Sequence, residues 1–159
     1  MTNNFLKKAF PEGHFKKNEE EFEKLGVKPQ KTEVKQAKPN NEELKKLNEQ
    51  LLHAALIGLF EEVKEALEKG ADINTKNNDG DTALHYASYY GHTKTAKHLI
   101  NKRADVNAQT NRGWTPLHHA SNMGYTDTVK HLIEQGADAS VKNNQGQTAL
   151  DLARKEGKQ

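Results

Sequence analysis

The side chains in this chain best suited to chemistry are its eight histidines and 22 carboxylates, which could hold a metal ion or move protons. Their spacing argues against both. His85 and His118 stand 33 residues apart, as do His98 and His131. Groups at one fixed offset occupy equivalent places in successive structural units. Packed helices lie roughly 8–10 Å apart, too far for two such imidazoles to share one zinc ion. His118 and His119 are neighbours and on a helix point about 100° apart. The acids are spread over equivalent positions and helix faces, and no H-E-x-x-H, G-x-S-x-G or G-x-x-x-x-G-K-[ST] motif occurs. The chain has no cysteine, which removes disulfides, thiolate metal sites and cysteine nucleophiles. No catalytic residue, metal or cofactor is therefore expected.

The elements that must position these residues follow from the same offset. Thr82-Ala83-Leu84-His85-Tyr86-Ala87 recurs as Thr115-Pro116-Leu117-His118-His119-Ala120 and as Thr148-Ala149-Leu150-Asp151-Leu152-Ala153. Other columns keep step: Gly80/Gly113/Gly146, Asn78/Asn111/Asn144, Gly58/Gly91/Gly124, Val63/Ala96/Val129 and Ala71-Asp72/Ala104-Asp105/Ala137-Asp138. In one copy, Thr115 is placed to cap a short helix and Pro116 to occupy its first turn, where no N–H partner is lost. Gly124 permits a tight turn. Val129, Leu132 and Ile133 then form an apolar stripe on a second helix, and Gly136 ends it. Asn144-Gln145-Gly146 carries turn chemistry. Each unit reads as helix, turn, helix and hairpin-like loop. Such a unit cannot bury its apolar face alone, so copies must stack.

With its 33-residue period and its Thr115-Pro116-Leu117-His118-His119-Ala120 signature, the chain resembles the ankyrin repeat family over about residues 49–157. The resemblance implies an all-α solenoid of helix-turn-helix units with hairpin-like loops. It also implies that the signature histidines, His85 and His118, are structural hydrogen-bonding groups. Ala104-Asp105-Val106-Asn107 is similar to the family's Gly-Ala-Asp-Val-Asn segment, with Arg103 in place of the glycine. A non-glycine residue held there in the left-handed region is disfavoured by roughly 1–2 kcal/mol.

The repeat domain is expected over 41–159, with repeats at about 49–81, 82–114 and 115–147 and a partial copy at 148–159. Leu44, Leu47, Leu51 and Ala54 follow helical spacing behind Asn40 or Asn41, which predicts a capping helix over 41–56 with Lys45, Lys46 and Glu49 on its solvent side. The last copy holds only a first helix, so the final interface is expected to be partly open. Residues 1–40 read as an N-terminal arm and flexible linker holding three of the four prolines and four of the five phenylalanines, with a short helix near 16–25.

The arm interleaves Phe5, Phe10 and Phe15 with lysines, a pattern a single-strand nucleic-acid binder could use, but Glu19-Glu20-Glu21 and Glu23 blunt its field. Residues 1–47 hold 11 lysines and 8 glutamates, a net of +3, so nucleic acid is disfavoured as partner. The longest apolar run, Ala54 to Phe60, falls far short of the roughly 18 residues of a spanning helix, so membrane insertion is not expected. The chain is expected to be a soluble, cytoplasmic monomer. Its 21 lysines against three arginines, with 15 asparagines, resemble the bias of ankyrin-like proteins of intracellular bacteria, which are often delivered to host cells.

If the period sets the framework, specificity lies in exposed residues that vary between copies. In the family these are the loop tips and first-helix ends, which line one concave face. By register the second copy offers Asn78, Asp79, Asp81, Tyr89 and Tyr90. The third offers Asn111, Arg112, Trp114, Asn122 and Met123, and the fourth offers Asn144, Gln145 and Gln147. Asp79, Asp81, Tyr89, Tyr90, Asn111, Arg112, Trp114, Asn122 and Met123 are the expected contacts for a protein partner, because Trp, Tyr and Arg dominate interface energetics. The resemblance thus implies a non-catalytic protein-interaction module. In the alternative, a regulatory or host-directed effector, the Phe/Lys-rich arm makes the decisive contact.

Overall fold

The computed structural model describes residues 38–157, which hold seven helices and, among the described residues, no strand. They are α1 (Asn41–Ile57), α2 (Phe60–Glu68), α3 (Ala83–Tyr89), α4 (Thr93–Asn101), α5 (Pro116–Met123), α6 (Thr126–Glu134) and α7 (Ala149–Gly157). The expected arm, its helix near 16–25 and most of its linker lie outside the described residues.

Local chemistry sets the helix ends. Asn40 begins α1 with a capping box: its side chain accepts from the Glu43 N–H, and the Glu43 carboxylate accepts from the Asn40 N–H. α3 and α5 begin on Thr82 and Thr115, whose hydroxyls accept from the N–H groups of His85 and His118. Here the third helical residue is a histidine, and its Nδ1 completes the box by accepting from the Thr backbone N–H at 3.0 Å. In α7 the Asp151 carboxylate does the same for the Thr148 N–H at 2.9 Å.

Stacking follows the period. The first helices form one row, α1 on α3, α3 on α5 and α5 on α7, and the second helices form another, α2 on α4 and α4 on α6. Leu51, Leu84 and Leu117 occupy one buried column, Ala54, Ala87 and Ala120 the next, and Ala66, Leu99 and Leu132 a third. Burying each such leucine stabilises the stack by about 1.5–3 kcal/mol.

Two polar ladders join the layers. The Asp72, Asp105 and Asp138 N–H groups donate to the side-chain oxygens of Asn48, Asn74 and Asn107 in the preceding layer, at 2.7–2.8 Å. At the loop tips, the Asn111 and Asn144 N–H groups donate to the carbonyls of Asp79 and Arg112, and their side-chain amides donate to Asn78 and Asn111 carbonyls. Loops that would otherwise be solvated strands of turn are thereby tied into the stack.

The last layers depart from the column pattern at two positions, and at the first of them an expectation needs correction. Ile133, read as part of a buried stripe, is 51% exposed, although its counterpart Ile100 is buried. Leu150, whose counterparts Leu84 and Leu117 are buried, is 56% exposed. Both positions face the succeeding layer, and no helix packs on that side of α6 and α7 among the described residues. Arg103 has φ 72°, and it is the one non-glycine residue with positive φ among those described.

Candidate functional site

The site grows from two adjacent loops and the ends of the helices that follow them. Each loop is pinned by one short polar side chain. The Asn77 side-chain oxygen accepts from the Asp79 and Asp81 N–H groups, both at 2.9 Å, while its amide donates to the Tyr86 hydroxyl at 2.6 Å. One layer on, the Thr110 hydroxyl accepts from the Arg112 and Trp114 N–H groups, both at 3.2 Å. Asn143 repeats the pattern for Gln145 and Gln147. The Asn77/Thr110/Asn143 column went unnoticed in the sequence, although three short hydrogen-bonding side chains at one offset are a readable signal.

His85 links this scaffold to the next layer. Because its Nδ1 accepts from the Thr82 N–H, the ring proton sits on Nε2, which donates to the Ala108 and Trp114 carbonyls, each at 3.0 Å. His118 repeats this one layer on, donating to the Gln147 carbonyl at 2.9 Å. Burial pushes both imidazoles below their usual pKa, that of His85 to about 4. Both act as neutral structural rings.

An aromatic row runs across these loops. The Trp114 ring lies over His119 with centroids 4.9 Å apart, and Tyr89 meets His119 edge-on at 5.4 Å. His119 also packs edge-on against His85 of the preceding layer at 5.6 Å. Reasoning from equivalent positions missed this interlayer pair, because it joins different columns. It is no metal site: both His85 nitrogens are already committed, and among the described residues no group of three potential ligands gathers. Both His119 ring nitrogens are covered without a hydrogen-bond partner, and burial lowers its pKa to about 3.

The row floors an open groove of about 440 Å³. Of the nine residues expected from the sequence, it brings seven together: Asp79, Asp81 and Tyr89 from one layer, and Asn111, Arg112, Trp114 and Asn122 from the next. Thr110 and His119 complete the lining. Tyr90 and Met123 do not line it. Tyr90 stands 47% exposed beside Tyr89 and stacks over His92, and Met123 is exposed at the end of α5, because the helix turns both positions off the groove. Asn111, like Asn144, spends its amide on the loop ladder, and Asn78 contributes its carbonyl as an acceptor. Asp81 is half-buried, and burial together with the neighbouring Asp79 raises its pKa.

This stack of repeated helix pairs and capped loops is matched by comparison with known proteins. Two family models, both of ankyrin repeats, match residues 67–120 and 96–159. Two ankyrin repeat proteins of Rickettsia felis are each 42% identical over 50 residues, 31% of this chain, which spans 79% and 76% of their lengths. The chain belongs to the ankyrin repeat family. Ankyrin repeats are generally protein-protein interaction modules and typically non-catalytic. No helix among the described residues is long and apolar enough to cross a membrane.

Proposed function

We propose that this chain is a non-catalytic, monomeric binding module that takes a segment of a partner protein into the groove centred on Trp114. The observation that carries this reading is the convergence in one groove of side chains that differ between copies. Tyr89, Trp114 and Arg112 are of the residue types that anchor interfaces; Arg112 and Trp114 sit on the loop pinned by Thr110, and Tyr89 ends α3 beside them. An open groove suits a chain segment better than a small molecule, which needs a deeper enclosure. The test is an affinity pull-down with the intact chain against the Trp114→Ala and Tyr89→Ala forms, each first checked for native circular dichroism. Loss of the same captured protein in both variants supports the groove, and undiminished capture by both refutes it.

A second reading, in which the arm makes the decisive contact as an effector, is favoured by the gathering of four of the five phenylalanines before residue 23. Deletion of residues 1–37 would abolish capture under that reading and leave it intact under the first. Action in the cytoplasm of a host cell rests on the compositional bias alone.

A further inference from the structure

The groove combines two features that belong together in one kind of receptor. Its floor is aromatic, with Trp114 and Tyr89 flanking the neutral His119 ring. Its rim carries two carboxylates, Asp79 and Asp81, against one guanidinium, Arg112. Among the described residues neither carboxylate is in an ion pair; the salt bridges found there join Lys64 to Glu61 and Lys69 to Glu65, on α2 and its C-cap. The rim is thus left with one negative charge in excess beside two aromatic rings, Tyr89 exposed and Trp114 partly so. Half-buried and next to Asp79, the Asp81 carboxylate holds its charge at a cost that an incoming cation would relieve. The fold uses the same chemistry internally elsewhere: the Lys94 ammonium sits 4.1 Å from the centroid of the Phe60 ring.

Resting on the groove reading above, we propose that the anchor recognised here is a basic side chain, arginine or lysine, on the partner's segment, held between Asp79 and Asp81 and the faces of Trp114 and Tyr89. Carboxylates on the rim give the cation a direction, and the rings give it an apolar surface that a hydrated carboxylate or phosphate would not favour. The same charge turns away nucleic-acid backbones. Arg112 pairs with an acceptor elsewhere on the segment, its backbone held by Thr110 and, through its carbonyl, by Asn144.

The intact chain, labelled with ¹⁵N, is titrated with acetyl-Gly-Gly-Arg-Gly-Gly-amide and with the same peptide carrying citrulline, which keeps the shape and loses the charge. The arginine peptide should shift the Trp114 indole N–H and the Tyr89 amide saturably, and the citrulline peptide should bind about tenfold more weakly, equivalent to ~1.4 kcal/mol. Asp81→Asn should weaken the arginine peptide by a similar factor. Asp79→Asn, at an exposed position, provides the same test without burying an uncharged amide, and Glu62→Gln on α2 should change nothing. Equal binding of the two peptides, an equal loss with Glu62→Gln, or no loss with either Asp variant overturns the proposal. Should the protein captured through Trp114 still be captured by both Asp variants, the groove reading stands and the cation anchor alone fails. Should Trp114→Ala leave capture untouched, the groove reading itself fails.

Discussion

The Nε2–H of His85 donates to the Trp114 carbonyl 3.0 Å away, so the ring that closes the first turn of α3 also fixes the residue at the centre of the groove one layer on. Stability and site geometry are therefore coupled through a single imidazole. His85→Ala leaves the Thr82 N–H and the Ala108 carbonyl without this partner in a buried setting and takes from the Trp114 carbonyl one of its two donors, the other being the Thr110 N–H, which should cost about 3 kcal/mol. Urea denaturation measures the loss. Trp114 is the sole tryptophan, so a red shift of native-state fluorescence reports the loosened groove.

Acid should weaken the stack well before carboxylates titrate. Burial lowers the His85 pKa from 6.5 to about 4 and that of His119 from 6.5 to about 3, so the unfolded chain takes up these protons first. Their contribution is complete above pH 6.5 and is lost as pH falls towards 4, with His119 extending the decline to about 3. Asp81 acts oppositely, because its raised pKa lets the folded state bind a proton before the unfolded chain does. Urea midpoints should fall steadily from pH 7 to 4.5, and a flat profile over that interval would contradict the neutral assignment of these rings.

His119 offers a cleaner test of the same physics. Its two ring nitrogens are covered and unpartnered, and its contacts among the rings are aromatic. An unsatisfied buried polar group costs about 1–3 kcal/mol, so His119→Phe should raise stability by about 1 kcal/mol after some repacking. The gain should be larger at pH 5 than at pH 7, since the variant no longer competes for a proton. A lower melting temperature at both pH values would show that a hydrogen bond had been lost.

The stack was legible because burial repeats with the sequence: Leu84 and Leu117 share a column and share a buried fate. Leu150 and Ile133 share columns with buried residues and yet are exposed, since burial at those positions depends on a following layer that a column comparison takes for granted. The groove was legible for a related reason. Register places Asp79 and Asp81 beside Trp114 of the next copy, because Asn111 pairs with Asp79 across the layers. The orientation of His119 towards His85 was not, because it depends on which way one ring turns and not on its column. Tyr90 and Met123 lie outside the groove for the same reason, one position of helical rotation carrying each away from its lining neighbour, Tyr89 or Asn122.

Arg103 stands at φ 72° where its counterparts Gly70 and Gly136 have φ 108° and 99°. Its side chain is exposed and, among the described residues, forms no salt bridge to offset that conformation. Arg103→Gly should therefore stabilise the fold by about 1 kcal/mol, which for a repeat domain of this size raises the melting temperature by a few degrees. Differential scanning calorimetry decides, and a lowered melting temperature would mean that Arg103 makes a compensating contact.

Gly91 and Gly124 separate conformational strain from crowding, because they share a column and nearly share a backbone conformation, with φ 71° and 76°. A Cβ at Gly91 would meet the Tyr125 ring at 2.8 Å, whereas a Cβ at Gly124 would meet nothing within 4 Å. Tyr125 is the residue before α6, and it closes on the preceding layer just as His92 closes on Gly58. Gly124→Ala should thus cost only the left-handed penalty of about 1 kcal/mol. Gly91→Ala should cost that amount and a further 1–3 kcal/mol or so, as the Tyr125 ring is forced off its seat on Gly91. Equal losses in urea denaturation would mean that the Tyr125 ring yields freely and that the interlayer contact at this column contributes little to holding the repeats together.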